Sequence, residues 1–223
     1  MSRGPRLVLL GKQGAGKGTQ AAHLSERYGI EHVSTGDLFR AAAAAGTPAG
    51  KEAEQYMNRG DLVPDDLTLR IVEERFAEDG LVDRGFVLDG FPRTLPQAEK
   101  LKEVLEGHPL DLVINLDVPT KIVLDRIAGR RVCENCGTTY HVNAPPKEDW
   151  TCDVCGGKVV QREDDTEEAV MRRLELYEEE TIPIVDFYRR LGKLVVVDGT
   201  GSDDDVFARV VAQVDQRLNQ LQT

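Results

Sequence analysis

All four cysteines of the chain lie in one window, residues 133 to 155, as two C-x₂-C pairs separated by fifteen residues. Two such turns can bring four thiolates to one tetrahedral metal centre, and four protein ligands leave no position for the water that a catalytic zinc keeps. The absence of an export-type apolar stretch favours metal thiolates over disulfides. We therefore predict one structural Zn²⁺ bound by Cys133, Cys136, Cys152 and Cys155. His141 lies nearby, and we predict a strand residue there rather than a ligand.

A second motif with chemistry is "GKQGAGKGTQ", at residues 11 to 20. Gly11, Gly16 and Lys17 satisfy the phosphate-loop pattern G-x-x-x-x-G-K directly after an apolar strand. Glycines in this loop let backbone N–H groups surround phosphate oxygens at the positive end of a helix, and Lys17 adds a point charge. Gly18 stands where most phosphate loops have a Ser or Thr that binds Mg²⁺, and Thr19 comes one residue later. The motif predicts a nucleotide phosphate site.

Arginines form the next signal, because phosphoryl transfer needs spread charge to be neutralised rather than a covalent catalyst, and guanidinium groups bind phosphate in fork geometry. The arginines that border the loops and helix ends are Arg40, Arg93, Arg126, Arg130, Arg131, Arg162 and Arg173. Each alone is typical of a solvated surface, but the set predicts an anion-binding cage.

Asp89 ends an apolar strand where ligands bind in parallel sheets, and we predict it as the magnesium partner, directly or through water. A turn residue without function is the alternative there.

Five strand-like runs alternate with helix-patterned segments, which indicates an α/β fold with a parallel sheet covered by helices on both faces. The runs are residues 6 to 10, 32 to 34, 85 to 89, 112 to 118 and 193 to 198. Residues 131 to about 163 are rich in Gly, Pro, Cys and polar side chains and indicate an inserted unit. The helix after this unit is predicted to break near Pro183, which lacks a backbone N–H. Asp164 and Asp165, with Glu168 three residues beyond, are predicted to cap its start.

Charge and length limit the partners. With 39 acidic and 28 basic residues, the formal net charge of −11 repels nucleic acid and anionic lipid. The apolar runs are far shorter than the roughly 20 residues that span a bilayer. The 223 residues allow one main domain with inserted units. We expect a cytoplasmic monomer that binds neither nucleic acid nor membrane.

Six segments together resemble adenylate kinases of the long-lid type. They are "GKQGAGKGTQ", "STGDLFR", "LVPDDL", "GFVLDGFPRTLPQ", "DRIAGRR" and "QREDD", in the order and roughly the spacing of that family. The resemblance covers nearly the whole chain and implies reversible phosphoryl transfer from MgATP to AMP, giving two ADP. It also implies a phosphate-loop core at 1–35, an AMP-binding helical insert at 36–64, core at 65–130, a zinc-binding lid at 131–165 and core at 166–223.

The resemblance implies a role for each residue that matches a family motif. The ATP site would include Gly14, Ala15, Gly16, Lys17, Gly18, Thr19, Arg130, Thr139, Tyr140 and Gly201. The AMP site would include Thr35, Arg40, Leu62, Val63, Gly90, Arg93, Gln97, Arg162 and Arg173. The catalytic set would be Lys17, Arg93, Arg126, Arg130, Arg162 and Arg173. A cis Phe91-Pro92 bond is also implied. Two inserts suit the chemistry because the site must exclude water from the transferring group.

Three other functions share parts of the pattern. A guanine-nucleotide switch also has a phosphate loop, but this chain has no N-K-x-D segment. A zinc-ribbon nucleic-acid binder needs clustered basic residues, whereas residues 131 to 165 contain four Lys or Arg against seven Asp or Glu. Another nucleoside monophosphate kinase stays open, because the amide of Gln97 can face adenine or, flipped, guanine. The main departure from the family is Gln13, preceded by Lys12, where a proline is common.

Overall fold

The computed structural model describes residues 3–77 and 80–222. Residues 1, 2, 78, 79 and 223, which belong to the predicted core segments, lie outside this description. The strands are β1 (Arg6–Leu10), β2 (Glu31–Ser34), β3 (Phe86–Asp89), β4 (Leu112–Asp117), β5 (Arg130–Cys133), β6 (Thr139–His141), β7 (Val159–Val160) and β8 (Leu194–Asp198). The helices are α1 (Lys17–Tyr28), α2 (Thr35–Ala44), α3 (Pro48–Arg59), α4 (Asp65–Ala77), α5 (Leu81–Arg84), α6 (Leu95–Val104), α7 (Thr120–Ala128), α8 (Glu167–Leu176), α9 (Ile182–Arg190) and α10 (Asp203–Gln222).

The centre of the fold is a five-stranded parallel sheet in the order β2-β3-β1-β4-β8. Successive side chains of a strand point to opposite faces, so β1, which is apolar from Leu7 to Leu10, supplies both cores. Leu7 and Leu9 pack in the cluster that includes α1 and α10, and Val8 and Leu10 pack in the cluster that includes α6 and α9. The predicted α/β fold and its five strands are confirmed, each strand within one residue of its expected bounds.

Between β2 and α4 the chain forms the helical pair α2 and α3. Each helix begins at a hydroxyl cap: Ser34 Oγ accepts from Asp37 N at 3.3 Å, and Thr47 Oγ1 accepts from Gly50 N at 3.0 Å. Gly50 lies against the backbone of α2, where a Cβ would collide with Ala42. Gly50 therefore allows α3 to pack closely on α2.

The segment from Arg130 to Val160 forms a second, antiparallel sheet in the order β6-β5-β7. His141 is the last residue of β6, as predicted. Its Nδ1 accepts a hydrogen bond from Asn143 N at 3.1 Å. It is thus a strand residue whose Nδ1 is engaged within the insert.

Two expectations near α8 had different outcomes. The break is confirmed, because a π-helical turn at Tyr177–Thr181 separates α8 from α9, which has Pro183 in its first turn. The predicted cap is wrong: Thr166 caps α8, its Oγ1 accepting from Ala169 N at 3.2 Å. The carboxylates of Asp164 and Asp165 instead face arginines.

The cis Phe91-Pro92 bond is present after β3. Among the described residues, no helix has the length and apolar character needed to cross a membrane.

Candidate active site

The phosphate loop connects β1 to α1, as its motif requires. Gly11, Gly14 and Gly16 have φ values of 140°, 79° and 98°, in the left-handed range that glycine tolerates. A Cβ at Gly14 would also lie 2.8 Å from the side chain of Ile127. These positions require glycine for their backbone conformation, and this conformation curls the loop over the start of α1.

Lys17 lies at the first position of α1, and its ammonium fills the loop. Lys17 Nζ donates to the carbonyl oxygens of Gly11 at 2.8 Å and Lys12 at 2.9 Å. Burial lowers the pKa of Lys17 to about 8, although the charge of Asp89 acts in the opposite direction. Among the residues that the structure describes, no carboxylate contacts this ammonium, which leaves its charge available for an incoming anion.

Asp89 ends β3 beside this lysine. Its Oδ2 lies 3.7 Å from His32 Nε2, and a Cβ at position 18 would be in ordinary van der Waals contact with the same oxygen, so Gly18 lies directly beside the carboxylate. Burial alone would raise the pKa of Asp89, but the imidazole of His32 and the charges of Lys17 and Arg93 outweigh it and hold the pKa below its ordinary value. Asp89 is therefore an ionised carboxylate at the carboxyl edge of the sheet.

Sequence reasoning missed His32. Only the parallel pairing of β2 with β3, which sets Ser34 opposite Asp89, brings this imidazole to the site. Its place in a predicted strand next to "STGD" was the one available signal.

One cavity of about 980 Å³ opens over the phosphate loop and extends to the helical pair and the second sheet. On the predicted ATP side it is lined by Gly14, Gly16, Lys17, Gly18, Thr19, Arg130, Thr139, Tyr140 and Gly201, and on the predicted AMP side by Thr35, Arg40, Leu62, Val63, Gly90, Arg93, Gln97, Arg162 and Arg173. Arg126, of the predicted catalytic set, also lines it. Asp89 also lines it. Ala15 does not, because it is buried, and its carbonyl oxygen accepts from Arg126 Nη1 at 3.3 Å.

Arg130, at the start of β5, and Arg173, in α8, are each paired with a buried carboxylate. Arg130 binds Asp165 with two N–H groups: Nε donates to Oδ2 at 2.8 Å, and Nη2 donates to Oδ1. Arg173 Nη2 lies 2.5 Å from Asp164 Oδ2 and donates to the carbonyl oxygen of Met57 at 2.7 Å. These pairs set the two guanidinium groups in the cavity wall and connect α8 to α3.

Arg93 lies in the turn after β3 and lines the same cavity. Its Nε donates to Gly90 O at 2.8 Å, and its backbone N donates to Gln97 Oε1 at 2.8 Å. Gln97 Nε2 in turn donates to Asp65 Oδ1 at 2.6 Å. The guanidinium is held by its Nε, and the amide of Gln97 is engaged by protein groups on both its atoms. Thr35 Oγ1 donates to the same Gly90 carbonyl at 3.0 Å.

Arg162 completes the cage. Burial and the nearby charges of Arg40 and Arg130 lower its pKa to about 10. Like charges crowded along a cavity wall favour an incoming anion, so the wall is suited to phosphate. Arg131 is outside the cavity, because its guanidinium lies over the ring of Trp150, 5.9 Å from the centroid.

The four cysteines converge where β5 ends at Cys133, with their Sγ atoms all within 4.8 Å of one another. The Sγ–Sγ distances are 3.5 Å for Cys133 and Cys155 and 3.6 Å for Cys136 and Cys152. Tetrahedral zinc with Zn–S bonds of about 2.3 Å requires sulfur atoms about 3.8 Å apart. The four thiolates therefore lie close enough together to fit one tetrahedral zinc site.

A phosphate loop at the carboxyl edge of a parallel sheet, facing a second, arginine-lined compartment, defines a nucleoside monophosphate kinase. A profile of the family described as adenylate kinase matches residues 9–193. The chain is 52% identical to an adenylate kinase of Bacillus subtilis (92% of this chain, 95% of the relative) and 51% identical to one of Thermodesulfovibrio yellowstonii (95% and 100%). An adenylate kinase of Archaeoglobus fulgidus is 50% identical (92% and 96%). The chain belongs to the adenylate kinase family.

This membership decides against the guanine-nucleotide switch and the zinc-ribbon nucleic-acid binder. The cluster of four cysteines and the phosphate loop are parts of one enzyme. What the family name leaves open is the role of each residue in the cavity.

Proposed function

We propose that this chain transfers the γ-phosphoryl group of MgATP to AMP by direct in-line displacement, giving two ADP, with no phosphoenzyme. The observation that carries the proposal is that one cavity joins the phosphate loop of Lys17 to the guanidinium of Arg93. Two nucleotides bound from opposite ends of such a cavity would meet between these two cations. Family membership supports adenine nucleotides as the pair.

On the ATP side, the backbone from Gly14 to Thr19 would bind the β- and γ-phosphates, and Lys17 would exchange its two carbonyl partners for phosphate oxygens. Arg126 donates to Gly199 O at 3.0 Å, which holds its guanidinium between the phosphate loop and the loop of Gly201. Thr139 and Tyr140 would approach ATP from the second sheet when the insert closes. Positioning and charge neutralisation are the whole of this chemistry, because the transferring group needs no covalent partner.

On the AMP side, Arg93 would bind the AMP phosphate as a fork, with Arg40 behind it and Thr35, Leu62, Val63 and Gly90 around the nucleoside. Gln97 would read the base with an amide whose orientation is set by Arg93 N and Asp65. Arg130, Arg162 and Arg173 would neutralise the transferring phosphoryl group. For Arg130 and Arg173 this requires release from Asp165 and Asp164, which we connect with closure of the insert.

Two metals fit the residues present. Asp89 is an ionised carboxylate beside the phosphate loop, suited to hold hydrated Mg²⁺, which neutralises charge on the β- and γ-phosphates when bound with ATP. The thiolates of Cys133, Cys136, Cys152 and Cys155 would hold Zn²⁺ with a purely structural role, because they leave no open position for water. The segment 131–165 would then close over ATP as one rigid body, and 36–64 would close over AMP.

The decisive test replaces Lys17. Lys17→Met should lower kcat by about 100-fold or more, since a single preorganised donor at developing charge is worth this much. Lys12→Met is the matched control: its ammonium donates to Thr120 Oγ1 at 2.9 Å and lies outside the cavity lining. Near-normal turnover in Lys17→Met would refute the assignment. Inversion of configuration at a chiral γ-phosphate tests direct transfer independently.

Substrate choice is tested by initial rates with AMP, GMP, CMP, UMP and dTMP under saturating MgATP. We expect AMP to dominate, and equal rates with GMP would replace the proposal with a broader nucleoside monophosphate kinase. A monomeric state and a cytoplasmic location stay predictions, the first of which light scattering of the purified chain can check.

A further inference from the structure

Gln13 stands in the phosphate loop at a position where adenylate kinases commonly have a proline. Its side chain reaches Asp165, the last residue of the insert 131–165. Its Nε2 donates to Asp165 Oδ1 at 3.1 Å, across 152 positions of the chain. The same carboxylate receives the fork of Arg130, and its side chain is 0% exposed. Gln13 and Arg130 thus share one fully buried acceptor.

Asp165 occupies a structural junction. Arg130 directly precedes the insert 131–165 and Asp165 ends it, so their ion pair joins the two ends of the insert. Gln13 belongs to the phosphate loop, so its hydrogen bond to Asp165 connects this loop to the ion pair. Arg173 Nη1 lies 4.0 Å away, too far for a hydrogen bond, so Gln13 and Arg130 are the two close side-chain donors to this carboxylate among the described residues.

The amide of Gln13 has one orientation. Oxygen facing the Asp165 carboxylate would be repelled, so Nε2 must point there. Oε1 is then buried, with no donor among the residues that the structure describes, and Gln13 lines the nucleotide cavity. A buried acceptor without a donor is costly to keep, and loop packing alone does not account for it.

We infer that Gln13 is a positioning residue that keeps a hydrogen bond on Asp165 when Arg130 turns from this carboxylate to the transferring phosphate. The inference rests on the proposed role of Arg130. Without another donor, release of Arg130 would leave a buried carboxylate unpaired, which strongly opposes the release. By keeping a hydrogen bond on Asp165, Gln13 lowers the free-energy cost of releasing Arg130. Because Gln13 belongs to the phosphate loop, it also connects Asp165, at the end of the lid 131–165, to the loop that would hold ATP.

The test is a double-mutant cycle between Gln13 and Asp165. Gln13→Met keeps the length of the side chain and removes the donor. We expect kcat to fall by about five- to twenty-fold while KM for AMP changes less than two-fold, because the cost arises only when Arg130 leaves Asp165. In an Asp165→Asn background, where no full charge needs a donor, the same substitution should have no further effect. Gln13→Glu, with an acceptor against Asp165, should lower kcat more than Gln13→Met.

Lys12→Met is the matched control for the loop. Lys12 bonds Thr120 and lies 3.7 Å from Glu178, and it makes no contact with Asp165. Any loss it causes should therefore be the same in both backgrounds. Thermal unfolding of every variant establishes that it is folded at the assay temperature, and if Gln13→Met fails this check, Gln13→Glu supplies the cycle.

Wild-type kcat in Gln13→Met, or an equal loss in both backgrounds, would overturn the inference. Arg130→Met, assayed alongside, separates this failure from failure of the proposed function. If Arg130→Met is inactive and the cycle is additive, only the role of Gln13 is wrong. If Arg130→Met keeps full activity, the role proposed for Arg130 is wrong as well.

Discussion

The two inserts beside the central sheet are built by different means. The helical pair of segment 36–64 packs around Phe39, Ala53 and Val63 and shares this cluster with Leu67 of α4, so its core continues into the main body. The second sheet, in segment 131–165, has an apolar cluster of its own in which two of the buried members are cysteines. Val154 of this segment is 72% exposed.

The difference concerns what stabilises a small unit. About 30 residues enclose too little apolar surface to be stable alone. The first insert solves this by packing onto α4. The second has three short strands and a tetrahedral set of thiolates, so a bound metal would constrain its unfolded state in place of a core. A unit stabilised from within in this way can move relative to the sheet without losing its own stability.

Removing the metal should therefore affect the two inserts unequally. With a strong chelator, or in Cys133→Ser, we expect tryptic cleavage within 131–165 to accelerate on the order of 100-fold. The reason is that the bound metal is the main factor that stabilises this segment against local unfolding. Cleavage at Lys51 and Arg59 is the internal control and should not change. Mass spectrometry of timed digests measures both, and thermal stability should also fall clearly.

Activity at low temperature should stay within a small factor of that of the zinc-loaded enzyme. A fully folded, zinc-free protein with no activity, restored at once by zinc under saturating MgATP, would contradict a structural role for the metal.

The converse change is Phe39→Ala in the first insert. Deleting a phenylalanine from a packed core costs about 3–5 kcal/mol, which opens the helical pair locally and should raise KM for AMP by about 10- to 100-fold. KM for ATP and tryptic cleavage of the lid should stay unchanged, and Phe39→Leu should restore most of the affinity. Equal changes on both sides of the cavity would show that the inserts are not independent.

The pH dependence of activity should differ between the ATP side and the AMP side of the cavity. Because burial lowers the pKa of Lys17 to about 8, its charge in the free enzyme is lost as pH rises through 8. At pH 9, kcat/KM for ATP should be about ten-fold below its value at pH 7, since this ratio reports ionisation of the free enzyme. The kcat/KM for AMP at saturating MgATP should stay flat over this range, because bound phosphate keeps Lys17 protonated. An ATP profile flat to pH 10 would show that Lys17 is not the titrating group.

The smallest effect expected is that of solvent viscosity. If opening of the lid to release ADP limits turnover, doubling the relative viscosity should lower kcat by up to about two-fold. Lys17→Met, limited by chemistry, should show no dependence and serves as the control. Rapid quench should reveal a burst of enzyme-bound product in the wild type. Absence of a burst would mean that chemistry, not the lid, limits the rate.

Much of this architecture follows from local patterns in the sequence. The inner strands β1, β3 and β4 are short, mostly apolar runs bounded by turn residues. Because these strands are buried on both faces, no polar alternation obscures them. The phosphate loop and the C-x₂-C pairs are equally local, since glycines with positive φ and metal-ligand turns act within a few residues. The fold, the family and the zinc site could therefore be predicted from these local features.

The network around the carboxylates could not be predicted in the same way. Asp165, followed by a helix, was assigned to a cap because acidic residues before helices commonly serve that purpose, yet Thr166 satisfies the helix and the neighbouring carboxylates bind Arg130 and Arg173. His32 had no signal beyond its strand, because its contact with Asp89 depends on which strand pairs with which.

By itself, the sequence determined the chemistry available: a loop that can hold phosphate, arginines to neutralise it and four thiolates that can bind one metal. Only the tertiary structure decided which charges meet. Gln13 lies 152 positions from Asp165 and Arg126 lies 111 positions from Ala15, and no periodicity connects such residues. Hydrogen bonds and ion pairs act over a few ångströms, so their partners are chosen by the packing of the sheet and the placement of the two inserts.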